Sequence, residues 1–168
     1  MPAEFLHEIL TAGWFNLVSC PQGRECGQYR QERIFSHRCT QMHADEAGTN
    51  GLSERIIGCA FRVLNTLGAG FLEKVYENAL AHELRNAGLA VVQQQGVTVR
   101  YEGIVVGEYV VDLLVEGTII VELKAIRALE GAHTAQCINY LKATGMPLCL
   151  LLNFGKSRLE IHRFAHGL

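Results

Sequence analysis

Ile56, Ile57, Ala60, Val63 and Leu64 recur at three- and four-residue spacing after Ser53, the apolar stripe of a helix that Ser53 would cap and that would run to about residue 67. Gly68-Ala69-Gly70 interrupts the rhythm, and a second amphipathic helix is predicted over residues 71–87, ending at Gly88. The period then shortens from about four to two. Residues 89–95 and 97–101 read as strands, and residues 104–112 lead into a hairpin that carries on to about Ala125. A third helix is expected over 129–144, closed by Gly145, followed by strands over 147–154 and 158–164. The predicted order is two helices, three or four strands, a helix and two strands, with no internal repeat. At 168 residues and 49% hydrophobic content, the chain can bury one good core but hardly two.

The hairpin carries charges that such strands do not ordinarily tolerate. Asp112, Glu122 and Lys124 stand among valines, leucines and isoleucines, and an ionised carboxylate facing a core costs several kcal/mol unless it is paired or holds a metal. Side chains alternate along a strand, so Glu122 and Lys124 share a face. With a three-residue loop, Glu116-Gly117-Thr118, Val115 pairs with Ile119 and Asp112 falls opposite Glu122. A two-residue loop would send the two acids to opposite faces. The odd-numbered loop is expected, since Gly117 is the one glycine there to take a positive φ. Two carboxylates that close repel, and a divalent cation is the simplest way to keep both ionised. Oxygen donors without nearby His or Cys favour Mg²⁺ or Mn²⁺ over Zn²⁺. Lys124 would then orient a water or offset charge on a phosphate, which points to phosphodiester hydrolysis. The plainer alternative is a surface hairpin with an exposed ion pair.

Residues on both sides weigh against that alternative. Glu73, Tyr76, Glu77 and Leu80 recur on the second helix, which places Glu73 in its first turn. Gln136 and Tyr140 lie one turn apart on one face of the third helix. Taken singly, Glu73 would be a helix-start acid favoured by the dipole, and the tyrosines would be core edges.

Gly70-Phe71-Leu72-Glu73-Lys74-Val75-Tyr76 resembles the signature of the GxxExxY proteins, a bacterial and archaeal group within the PD-(D/E)XK nuclease superfamily. The resemblance runs from about Leu52 to Phe164 and includes Asp112, the Glu122-Leu123-Lys124 triplet, Gln136, Tyr140 and Leu152-Asn153-Phe154. It implies an α/β, mixed α+β domain over residues 51–168, with a restriction-endonuclease-like core in which a central mixed β-sheet is flanked by helices. It also implies a catalytic set of Glu73, Asp112, Glu122, Lys124, Gln136 and Tyr140, with Glu73, Asp112 and Glu122 as the ligands of Mg²⁺ or Mn²⁺. The Gln136 and Tyr140 pair is similar to a motif beside the active site of RecB-like nucleases. Two positions depart from the family pattern: Val110 stands where a basic residue often precedes the aspartate, and Cys149 where a glycine is usual. Neither removes a metal ligand, although Val110 can remove a phosphate contact.

Residues 1–50 follow a different pattern, rich in Cys, Gly, Gln and Arg without periodicity, and read as a poorly ordered extension; Met42, just before the region of resemblance, is an alternative start. Cys20, Cys26, His37, Cys39 and His43 match none of the usual close zinc-ligand spacings. The formal net charge is −2, and from Ser53 onward eleven Lys and Arg face eleven Asp and Glu, so a strong basic field for tight non-specific DNA binding is excluded. Lys74, Arg100, Arg127, Lys142, Lys156 and Arg158 remain as candidate contacts along one side. No stretch approaches the roughly 18 apolar residues of a membrane span, and no leader pattern opens the chain, so a cytoplasmic location is expected. Cys59, Cys137 and Cys149 are expected to be reduced, buried small hydrophobes. The expected function is metal-dependent hydrolysis of nucleic acid, with DNA as the expected substrate. The alternative is a catalytically inactive nucleic-acid- or partner-binding module of the same fold.

Overall fold

The computed structural model describes the backbone of residues 34–166 and the side chains of residues 48–166. Its elements are α1 (Ile34–Leu67), α2 (Glu73–Asn86), β1 (Val91–Tyr101), β2 (Ile104–Val115), β3 (Ile119–Lys124), α3 (Gly131–Thr144), β4 (Leu148–Asn153) and β5 (Glu160–Ala165). They form one five-stranded mixed sheet in the order β1-β2-β3-β4-β5, in which only the β3–β4 pair is parallel. A parallel pair needs a crossover rather than a tight turn, and α3 provides it. The restriction-endonuclease-like plan, a mixed sheet flanked by helices, is the one found.

Sheet alternation explains the layering. Leu113, Val115, Val121 and Leu123 pack with Leu150 and Leu152 against Ile56, Leu80 and Leu84 of α1 and α2. On the other face, Ile120, Cys149 and Leu151 pack against Cys137, Tyr140 and Leu141 of α3. β4 is buried at every position, as a central strand covered on both faces must be, so its sequence is an unbroken apolar run rather than an alternation.

Three expectations need correction. Ser53 is not an N-cap: α1 already begins at Ile34, and the Ser53 hydroxyl donates to the Asn50 carbonyl (2.8 Å) inside the helix. Propagating an existing helix adds one hydrogen bond per residue fixed, so α1 extends upstream without the apolar stripe that marks its packed half. The two strands expected over 89–95 and 97–101 are a single strand, because Gly96 pairs with Val110 within the ladder instead of turning the chain. α2 begins at Glu73 rather than two residues earlier, with Leu72 as its N-cap. Of the N-terminal residues considered as zinc ligands, Cys20 and Cys26 lie outside the described residues, as do the side chains of His37, Cys39 and His43. Among the described residues no helix is long and apolar enough to cross a membrane.

Candidate active site

The register of the β2–β3 hairpin decides where its acids go. Val115 pairs with Ile119, Leu114 with Ile120 and Leu113 with Val121, the register of the three-residue loop. Continued by one step, it sets Asp112 opposite Glu122. The loop needs two left-handed residues rather than one: Glu116 (φ 52°) and Gly117 (φ 62°). A non-glycine there is costly, and Glu116 is held by a paired contact with Ala90. Its N–H donates to the Ala90 carbonyl (2.9 Å), and its carboxylate accepts from the Ala90 N–H (2.8 Å).

At Asp112 the ladder gives way to a side chain, whose Oδ2 accepts from the Leu123 N–H at 2.8 Å. The aspartate thereby ties β2 to β3 between Glu122 and Lys124, and its Oδ1 meets only the Gln94 amide, at 3.4 Å. Glu122 is 2% exposed. Lys124 donates to its Oε1 at 2.5 Å, while Oε2 is buried without a hydrogen-bond partner. Burial, and then the charge of Asp112, push the Glu122 carboxyl up to about 7 against the pull of Lys124. Burial alone would lower Lys124, but Glu122, Glu73 and Asp112 outweigh it and hold the ammonium above its ordinary range.

Glu73 reaches this point from the first turn of α2, its carboxylate 3.9 Å from the Lys124 ammonium. It accepts from the Ala125 N–H, yet its carboxyl is raised, because burial and the nearby Asp112 prevail over Lys124 and that hydrogen bond. The loop ahead of Glu73 is held by Tyr76. This buried ring stacks on Phe154 (4.7 Å between centroids), its hydroxyl donates to the Gly68 carbonyl (2.7 Å), and it accepts from the Phe71 N–H (3.2 Å). Gly70, Glu73 and Tyr76 are therefore part of a loop, the acid it delivers and the ring that holds it.

On α3, Gln136 donates to the Tyr140 hydroxyl (2.5 Å), which donates to the Val110 carbonyl (3.1 Å) two residues before Asp112. Burial raises the Tyr140 hydroxyl, and Glu122 and Asp112 add to the shift, so the ring lies within their field. The structure thus brings Asp112, Glu122, Lys124 and Glu73 together with Tyr140 beside them, while Gln136 acts through Tyr140.

Sequence reasoning missed two supports. Glu77, buried one turn after Glu73, takes hydrogen bonds from Lys74 (2.7 Å to each oxygen), Gln93 (3.0 Å) and Gln94 (2.9 Å), the last of which also faces Asp112. An acid on the α2 stripe that buries Leu80 and Leu84 was the available signal, together with three consecutive glutamines in a strand. Asn153, fully buried, accepts from the N–H groups of Ile126 (3.1 Å) and Gly155 (3.0 Å) and fixes the chain as it leaves β3. A polar residue ending the apolar run of β4 was its sign.

The sequence matches the family model of the PD-(D/E)XK nuclease superfamily over residues 50–164. The chain belongs to that superfamily. The match covers every residue of the site just described. Two solved structures show a partial likeness. SSO0001 is 17% identical with a TM-score of 0.46, over 56% of this chain and 50% of that one. An alkaline exonuclease, LHK-Exo from Laribacter hongkongensis, is 15% identical with a TM-score of 0.39, over 55% of each chain. The PD-(D/E)XK chain therefore spans about half the length of the solved chains it matches. No curated protein matches it significantly.

Nucleases of this superfamily typically work with divalent metal, and the site of this PD-(D/E)XK domain fits one on its own terms. A buried carboxylate oxygen without a partner forfeits roughly 1–3 kcal/mol or more, and such an atom in a folded protein calls for a ligand. Glu122 Oε2 is that atom, with Asp112 as the adjacent oxygen donor. Among the described residues no three His, Cys, Asp or Glu side chains close into a cage as they stand. Mg²⁺ does not require one, since it is commonly held by one or two carboxylates and keeps several waters.

Proposed function

We propose that this PD-(D/E)XK domain is a Mg²⁺- or Mn²⁺-dependent nuclease of the GxxExxY group that hydrolyses phosphodiester bonds of nucleic acid, with DNA as the substrate. The observation that carries the reading is the buried Glu122 Oε2, without a partner beside Asp112 and within reach of the charge of Lys124. A structural ion pair needs only Lys124 and one acid. Three acids converging on one lysine are a costly arrangement unless charge is to be handled there.

Asp112 and Glu122 would hold the ion, with Glu73 as the outlying third acid. Such an ion supplies Lewis acidity and a more acidic water. Lys124, kept charged by Glu122 and Glu73, orients the attacking water or offsets charge building on the phosphate oxygens. Gln136 and Tyr140 hold β2 at Val110 and thereby set the height of Asp112 against Glu122. Gln94 and Glu77 restrain Asp112 from the other side.

The competing reading, a non-catalytic module of the same fold, draws on the direct Lys124–Glu122 pair, which balances the two charges without any ion. Incubation with single-stranded and duplex DNA and with RNA, in Mg²⁺, in Mn²⁺ and in chelator, separates the two. Cleavage that needs the metal and is lost in Glu122→Gln is the expected result. No cleavage of any substrate under any condition hands the site to the competing reading.

A further inference from the structure

A hollow lies beyond Tyr140, on the side of α3 and the β1–β2 ribbon. It has a volume of about 440 Å³ and is lined by Thr98, Arg100, Tyr109, Asn139 and Lys142. Its position relative to the acids follows from one aromatic contact: Tyr109 meets Tyr140 edge to face, with centroids 5.7 Å apart and planes at 72°. Tyr140 itself is tied through its hydroxyl to the Val110 carbonyl (3.1 Å), two residues before Asp112. The aromatic wall of the hollow therefore backs onto the ring that holds β2 beside Asp112.

Its chemistry is that of a strand-binding groove. Arg100 and Lys142 are exposed and come from different elements, β1 and α3, and no acid is among the lining residues. They differ in this from Lys74 and Lys156, which are held in ion pairs with Glu77 (2.7 Å) and Glu160 (3.0 Å). Tyr109 is 41% exposed although its neighbour Tyr140 is buried, so part of its ring remains open to a ligand. Two cations and an open aromatic ring suit a phosphate backbone whose bases can stack, a contact worth about 1–3 kcal/mol per base and open only to unpaired bases. Asn139 and Thr98 add uncharged hydrogen-bonding groups. The size agrees, since hollows of roughly 300–1,000 Å³ seat single small-molecule-sized groups rather than a duplex. The balanced charge of the domain also argues against a broad duplex-binding face.

We infer that this hollow is a subsite for single-stranded nucleic acid, in which Tyr109 stacks a base and Arg100 and Lys142 hold the flanking phosphates of a strand whose scissile bond lies at Glu122 and Lys124. The inference rests on the nuclease reading for the direction of the strand, but its test does not depend on cleavage. Fluorescence anisotropy in Ca²⁺ is measured on full-length protein with labelled single-stranded DNA, single-stranded RNA and duplex DNA. Wild type is compared with Tyr109→Ala, Tyr109→Phe and the double variant Arg100→Ala, Lys142→Ala, after circular dichroism has shown that each is folded.

We expect single strands to bind more tightly than duplex. Tyr109→Ala should lose about tenfold in affinity and Tyr109→Phe should retain it. The double variant should also show a shallower salt dependence, by about one unit of slope or more. The DNA and RNA arms identify which strand is taken. Duplex preferred over single strands, or single-strand binding unchanged in both Tyr109→Ala and the double variant, overturns the subsite even if the protein cleaves. Binding that follows these expectations in a protein that never cleaves upholds the subsite and removes the nuclease reading instead.

Discussion

Glu122 is held in its charged form by Lys124 and resisted by everything else around it, namely burial first and Asp112 second, and its carboxyl stands at about 7 in consequence. The sign of the resulting pH dependence follows directly. A carboxyl whose pKa in the folded protein lies above its unfolded value of about 4.3 favours the fold while protonated. That contribution is complete below the unfolded value, shrinks as the pH climbs, and is gone once the folded value near 7 is passed. Metal-free protein should therefore lose melting temperature between pH 5 and pH 8. Glu122→Gln, which carries no charge to desolvate, should flatten that slope and melt higher than wild type at pH 8. Thermal melts of both proteins in chelator across this range check it, and parallel curves would show that Glu122 is not the group under strain. Divalent metal should reverse the trend, because binding favours the ionised form and releases the proton.

Among the elements, the exit of β3 is the most constrained. Lys124 is the last residue of the strand; its carbonyl accepts from the Phe154 N–H (2.7 Å), and Asn153 fixes the chain two residues on. Gly155 closes this turn so tightly that a Cβ there would lie 2.1 Å from the Ile126 carbonyl oxygen and 2.4 Å from its nitrogen. Backbone cannot yield as a side-chain tip can, so Gly155→Ala must displace Lys124–Ile126 or the start of the turn after β4. We expect a loss of at least about 1–3 kcal/mol in stability, the usual cost of overpacking, with metal-dependent cleavage reduced more than nucleic-acid binding. Chemical denaturation and cleavage rates on the same preparation check this, and an alanine variant of unchanged stability would show that the segment is free to move.

The same elements show what could be read from the sequence. The hairpin register was legible because Gly117 marked the turn and loop length alone decides whether Asp112 falls opposite Glu122 or on the other face. Glu73 and the Gln136–Tyr140 pair stood out by helical spacing and were drawn into the site by the family resemblance, although the glycine break placed the start of α2 two residues early. What stayed hidden depends on contacts distant in sequence. Glu77 becomes a support for Asp112 only when Gln93 and Gln94 of β1 are brought against α2, and Gly155 matters only because Ile126, from the far side of the crossover, occupies the space a side chain would need. The upstream reach of α1 was hidden for a different reason, since a helix propagated from a packed half needs no stripe of its own.

At the scale of the whole molecule, a layered domain delivers groups from α2, β2, β3 and α3 to one end of the sheet, and under the proposed nuclease function this convergence performs chemistry rather than binding alone. Lys124 separates the two, because in its charged form it cannot ligate a metal and a binding module has little use for it beside three acids. The decisive measurement compares wild type with Lys124→Ala in two assays on the same oligonucleotides: single-turnover cleavage in Mg²⁺ or Mn²⁺, and affinity in Ca²⁺, where turnover is suppressed. Removing a group that acts on developing charge should cost on the order of 10²-fold or more in rate, about 3 kcal/mol, while affinity falls only a few-fold. A Lys124→Ala protein that cleaves as fast as wild type, or one whose affinity collapses in step with its rate, would contradict the account.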